Sequence, residues 1–158
     1  MGVTIMTREE IAKENVKAYE GLGRTIMSQQ AFFDVGVYKE GTILTLKETK
    51  SFAGQNARAE YQPETSMDGK LIQIVFNCDG KVFSHKVDYN NEEEVEELSA
   101  VEGEDEYLVP AGTHFVINDC SNEDDINEMG YCEVNIEQLS DEDYEEMIAD
   151  GVSENNDI

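Results

Sequence analysis

Glu104, Asp105 and Glu106 stand directly before the apolar run Tyr107-Leu108-Val109, at the point where a buried strand reads to begin. Like charges repel most where water is being excluded, so these acids either belong to an acidic surface or are held there by a site. Two carboxylates two positions apart on an extended backbone project to one face, which gives Glu104 and Glu106 a shared direction. One of them, held rigidly, can stabilise a cation that develops in a transition state. The other can take a proton or orient a nucleophile. Glu92-x-Glu94 and Glu94-x-Glu96 have the same spacing, but only the pair at 104 and 106 runs into an apolar strand.

The remaining reactive side chains read as structural. His85 and His114 are single histidines on strand-like segments. The stretch DCSNEDDINEMG spaces oxygen ligands from Asp119 to Asp125, but Asp124 stands where a calcium loop requires glycine, and no metal is expected. Cys78, Cys120 and Cys132 are odd in number and far apart, which suits neither a disulfide framework nor a Cys-x-x-Cys site. A reducing, cytoplasmic setting is the expectation. Cys132 shares a face with Val134 and Ile136 and reads as a core thiol.

The elements that must position these residues divide as follows. TREEIAKENVKAYEGLG opens with Thr7 and Glu10 in capping-box spacing, repeats Ile11, Ala12, Val16 and Tyr19, and predicts a helix stopping at Gly21 and Gly23. AFFDVGVYKEGTILTLKETKSF predicts two short strands around Gly36 and Gly41, and GQNARAEYQPE a short helix ending near Pro63. In KLIQIVFNCDGKVFSHKVDY, Asp79-Gly80 between two strand-like runs predicts a two-residue hairpin. An acidic helix or loop follows over NNEEEVEELSAVEGEDE. Next comes a strand broken at Pro110 and Gly112, then an alternating strand over YCEVNIEQL. The last helix is signalled by Ser140 or Asp141 as cap and Gly151 as stop, and VSENNDI is expected to be disordered. Helix first and strands after give an α+β class. The 158 residues suit one domain, 1–139, with an acidic helix and tail over 140–158.

Charge is distributed very unevenly. Residues 1–87 hold 11 acidic and 11 basic side chains, whereas residues 88–158 hold 25 acidic and no basic ones, which accounts for the whole net charge of −25. Direct nucleic-acid binding by the second half is not expected, because phosphate contacts need lysine or arginine and it has neither. A basic protein partner would be steered toward it. The longest apolar runs fall far short of the ~20 residues a membrane helix needs, and the first ten residues lack the pattern of a secretory signal.

Set beside the acidic pair, KSFAGQNARAEY completes a pattern. Ser51 closes a strand, Phe52 follows, and the Glu-x-Glu pair ending at Glu106 leads into YLVPAGTHFVI. The combination resembles the ADP-ribosyltransferase family, in its toxin-type branch with Arg, Ser-x-Ser/Thr and Glu-x-Glu motifs, over about residues 32–139. The resemblance implies a split, mixed β core and NAD as substrate. It makes Ser51 the first serine of its motif, orienting the nicotinamide riboside, with Phe52 beside it in the dinucleotide pocket. Glu106 becomes the carboxylate that stabilises the oxocarbenium-like cation as the glycosidic bond breaks. Glu104 would act on the acceptor, and a glutamate there goes with arginine acceptors in the family. Arg24 is the candidate for the arginine that grips the phosphates. The sequence departs from the pattern at Ala53, where the motif has a second hydroxyl, and at Glu20, which follows Tyr19 where arginine is expected.

Two functions of different class follow. One is mono-ADP-ribosyl transfer from NAD to an arginine of a target protein. The other is a non-catalytic acidic interaction or inhibitor protein, of immunity type or a nucleic-acid mimic, engaging a basic surface. Small size and acidity fit a phage or mobile-element protein under either.

Overall fold

Thr7 does start a helix, as its spacing to Glu10 requires, but that helix lasts one turn. In the computed structural model, which describes residues 6–29, 38–54 and 71–155, α1 covers Arg8–Ile11 with a complete capping box between Thr7 and Glu10. Ala12 already caps it, and Asn15 turns through a positive φ of 48°. The helix expected through Tyr19 is therefore replaced by a strand, β1 (Lys17–Glu20). It pairs antiparallel with β6 (Lys81–Lys86), Tyr19 opposite Val82. Cross-strand pairing with a distant segment outweighs the local helical spacing, since tertiary context overrides propensity.

The remaining strands are β2 (Gly23–Gln29), β3 (Ile43–Thr45), β4 (Lys50–Ala53), β5 (Leu71–Asp79), β7 (Glu106–Val109), β8 (His114–Cys120), β9 (Cys132–Leu139) and β10 (Glu154–Asn155). They form one sheet in the order β1-β6-β7-β4-β2-β5-β9-β8-β3-β10. All pairs are antiparallel except β5 with β9 and β3 with β10, so the sheet is mixed. Between β4 and β2 the ladder narrows to a single pair, Gly23 opposite Ala53. That constriction splits the sheet into two wings, β1-β6-β7-β4 and β2-β5-β9-β8-β3-β10.

The split explains the failure of the expected hairpin. Gly80 supplies the positive φ, 74°, that the Asp-Gly turn needs. Yet β5 bonds to β2 and β9, and β6 to β1 and β7, so the turn carries the chain from one wing to the other. The strand break at Pro110 and Gly112 is as expected, with Gly112 at φ 86°. The helix expected over GQNARAEYQPE lies outside the described residues.

Two apolar clusters hold the sheet. The larger one fills the core with Phe52, Phe76 and Phe115, together with Leu44, Ile74, Val109 and Ile136. The smaller one packs Ile11 and Ala12 with Leu98 from α2 (Glu92–Leu98) against Val87 and Leu108. Strand β7 is buried along its whole length because it is covered on both faces, Leu108 by the smaller cluster, Tyr107 and Val109 by the larger. The DCSNEDDINEMG stretch folds as α3 (Glu123–Met129), with Asn122 and Asp125 forming its capping box. Those oxygens serve the helix terminus, and among the described residues no group of three or more acids, histidines or cysteines could hold a metal.

Ser140 caps α4 (Asp141–Ala149), as its position predicts. The tail after it departs from expectation. Glu154 and Asn155 pair in parallel with Ile43 and Leu44, the Ile43 N–H donates to the Ser153 carbonyl at 2.9 Å, and Tyr144 stacks on His114 at 3.5 Å. Backbone donors along β3 would otherwise form an open edge, so residues 153–155 of the segment expected to be disordered close the sheet, and its last three residues lie outside the described ones. Among the described residues no helix is long and apolar enough to cross a membrane.

Candidate active site

Strands β4 and β7 run antiparallel with Ser51 opposite Leu108, Phe52 opposite Tyr107 and Ala53 opposite Glu106. Residues opposite one another share a face, so Ser51 and Glu106 lie diagonally on one side and Phe52 on the other. The Ser51 hydroxyl donates to Glu106 Oε2 at 2.7 Å. Glu106 is only 7% exposed, and its backbone N–H donates to the Tyr89 hydroxyl at 2.8 Å. Burial pushes the Tyr89 hydroxyl up, with smaller upward contributions from Glu106, Asp105 and Glu104, so it stays protonated at neutral pH.

Two arginines converge on this pair. Arg24, on β2 at the split, donates from Nη1 to the Ser51 carbonyl at 3.0 Å. Burial, and then the charge of Arg8, pull its guanidinium below the ordinary arginine value, and its buried Nε has no hydrogen-bond partner among the described residues. A buried donor without an acceptor beside a second cation is an environment that favours an anionic ligand. Arg8, on α1, donates from Nη2 to the Ser51 hydroxyl at 2.7 Å. Its neighbour Glu9 fixes α1 to the strand by accepting from the Thr49 N–H at 3.3 Å and from the Thr49 hydroxyl. Sequence reasoning passed over Arg8 because its role depends on α1 folding back against β4. The capping box was visible, but not where it would dock.

Two expected site residues are placed differently. Glu104 is exposed and outside the strand, while Asp105 turns through a positive φ of 46°. Glu104 and Glu106 therefore do not share a face: the extended backbone that would align them starts only at Glu106. The turn is needed because β7 must enter a buried position while its acidic approach stays in water. Phe52 is 1% exposed and stacks on Phe115 with centroids 6.2 Å apart, so its ring belongs to the core and not to a ligand pocket. Glu20, where the motif would have arginine, is exposed on β1. Both histidines are engaged elsewhere: His85, buried, lies between the Glu14 carbonyl and the Glu94 carboxylate, and His114 meets Thr45 and Tyr144.

No protein-family profile matches the sequence, and no curated protein does. Among solved structures, the Vis toxin, an ADP-ribosyltransferase from Vibrio splendidus, superposes with a TM-score of 0.51 at 13% identity over 88% of this chain and 55% of its own. The chain has the fold of the ADP-ribosyltransferases. HopU1, an ADP-ribosyltransferase of Pseudomonas syringae, aligns with a TM-score of 0.49 at 14% identity, covering 77% of this chain and 46% of its own. C3larvin, an ADP-ribosyltransferase from Paenibacillus larvae, gives 0.43 at 13% identity, covering 84% and 67%. The chain spans about half the length of Vis and HopU1. Within this ADP-ribosyltransferase fold, Ser51, Glu106 and Arg24 meet where the two wings join.

The backbone on the approach to Glu106 is tightly packed. Gly54 donates its N–H to the Asp105 carbonyl at 2.9 Å, and a Cβ on it would lie 2.6 Å from Tyr107 Cε1 and closer still to the Asp105 carboxylate. Burial, followed by Asp105, pushes the Tyr107 hydroxyl up to about 12, and its ring packs edge-on against Tyr19 at 4.9 Å. It has little room to yield. Gly54→Ala is expected to cost about 1–3 kcal/mol through overpacking, read as a lower denaturation midpoint. An unchanged midpoint would show that Asp105 swings away freely.

Proposed function

We propose that the chain transfers ADP-ribose from NAD to an arginine of a protein target. The observation that carries this reading is the buried Glu106 carboxylate held by the Ser51 hydroxyl, with the Arg24 guanidinium on the same serine's carbonyl. Loss of nicotinamide leaves positive charge on the ribose carbon, and a preorganised carboxylate in a water-poor site lowers that barrier. Glu106 fills this role. Ser51 fixes the carboxylate's direction, and Arg24 contributes the cation for the dinucleotide phosphates, with its unpartnered Nε as the donor an anion would satisfy. NAD is drawn to two local guanidinium groups in a protein that is otherwise strongly anionic, and salt screens the long-range repulsion beyond roughly 10 Å.

The acidic residues after Lys86 favour a basic protein as target, since complementary charge accelerates encounter. Glu104, exposed beside the site, adds to that acidic rim. The second reading, a non-catalytic acidic protein that binds a basic surface, draws on Ala53 and Glu20 in place of motif residues. Nicotinamide release from NAD, measured with and without an arginine-rich acceptor protein, separates the two. The transfer reading expects release and labelled acceptor. No release across a panel of acceptors would leave the binding reading.

A further inference from the structure

Two of the three cysteines that stand far apart in the sequence meet in the fold. Strands β8 and β9 set Cys120 opposite Val134, so it shares a face with Val134 and, two residues before that, with Cys132. The two sulfurs lie in contact, 3.7 Å apart. The backbone beneath them is fixed, because the Ser121 N–H donates to the Glu133 carbonyl at 2.9 Å and the Glu133 N–H donates to the Ser121 hydroxyl at 2.9 Å. Helix α3 connects them, closed at its ends by the Asn122 capping box and by Gly130. The two thiols differ in surroundings. Cys132 is fully buried in the larger apolar cluster, whereas Cys120 is half-buried at its margin. A hydrogen bond from Cys132 holds the Cys120 thiol below the ordinary cysteine value, against burial and the charge of Asp119. The same bond, and then burial, push the Cys132 thiol up. A reachable sulfur with thiolate character beside a shielded second thiol is the arrangement that reacts by exchange. Cys78 stands opposite Ile136, four positions along β9 from Cys132 and so roughly 13 Å away along the strand.

From this contact we infer that Cys120 and Cys132 are a modification site, a dithiol that a small-molecule disulfide converts into a reversible disulfide locking β8, α3 and β9 together. The inference is independent of the transfer reading. In the first step the Cys120 thiolate attacks one sulfur of the oxidant, whose own sulfur–sulfur bond breaks. One half leaves as a thiolate and the other stays on Cys120 as a mixed disulfide. Cys132 gives its proton to the departed thiolate, attacks the Cys120 sulfur and expels the second half, which takes its proton from water. The cysteines lose two electrons and the oxidant ends as two thiols. The bond closes the loop of residues 120–132, which removes freedom from the unfolded chain and little from the native one, where the strand ends are already held. A cross-strand row leads from Cys120 through Val134 and Phe76 to Arg24, so the lock braces the wing that carries this arginine.

The test uses the full chain, first reduced and then incubated with oxidised glutathione, followed by intact mass, peptide mapping and a thermal melt. The expected result is a loss of about 2 Da for the two hydrogens removed, a link mapped between Cys120 and Cys132, and reversal by dithiothreitol. The thermal midpoint should rise by ~5–10 °C over that of the reduced chain. Cys120→Ser, at the half-buried position, is expected to abolish both the mass loss and the rise. Cys78→Ser, which leaves the pair untouched, is expected to keep both, so a fold that fails to tolerate the first variant still leaves a second to read. Glutathione retained on Cys120, a link through Cys78, or no reaction at all overturns the site. A bond that forms between Cys120 and Cys132 with an unchanged or lowered midpoint overturns the lock. None of these outcomes bears on nicotinamide release, which tests the transfer reading separately.

Discussion

Under the transfer reading, Glu106→Gln is expected to lower nicotinamide release by about 10²- to 10³-fold, the loss expected when one preorganised group that meets transition-state charge is removed. The replacement keeps the shape, and its carboxamide oxygen can still accept from the Ser51 hydroxyl. What disappears is the negative charge. Because Glu106 is buried, that charge acts through a medium of low polarizability, where it is worth far more than in water. The cost to folding is bounded by a hydrogen bond to a charged group, about 1.5–3 kcal/mol. A thermal melt beside the rate measurement separates the two effects. Activity retained within tenfold would remove Glu106 from the chemistry.

Phe52→Ala has the largest expected effect on stability, about 3–5 kcal/mol, since it empties a fully buried aromatic position stacked on Phe115. Set against the ~5–15 kcal/mol that holds a typical domain together, this is a large share. Chemical denaturation gives the value directly. Phe52→Leu, nearer in volume, should recover most of it. If Phe52 were instead a wall of the dinucleotide pocket, the same truncation would weaken NAD binding and leave the denaturation midpoint in place.

That contrast shows what the sequence made legible. Ser51 and Glu106 are paired by the family resemblance alone, and strand alternation in the antiparallel register of β4 and β7 sets them on one face. The same alternation sends Phe52 to the core, which adjacency in sequence conceals. Glu104 was misplaced because alternation was extended two residues beyond the strand, through Asp105, whose positive φ breaks it. Caps at Thr7 and Ser140 were visible because a cap is a local device, and both are present. The extent of α1 and the partners of β5 and β6 were hidden because they depend on segments tens of residues away. In the same way, α3 carries little apolar periodicity, and only its Asn122 cap distinguishes it from the surrounding acidic surface.

The single-residue constriction between β4 and β2 has a consequence for how the chain reaches its native state. Because the chain crosses between wings repeatedly, consecutive strands seldom pair: β1 waits for β6, β4 for β7, β5 for β9 and β3 for β10. Each pairing closes a long loop before any contact repays the entropy, which places folding in the slow regime of milliseconds to seconds. The β8–β9 pair, closed across α3, is among the shorter connections and a natural early structure. Ser51 and Glu106 lie 55 residues apart on a late-closing pair. The proposed site therefore assembles only after the polypeptide has committed to its whole topology, and a partly folded chain carries the acids without the Ser51–Glu106 pair.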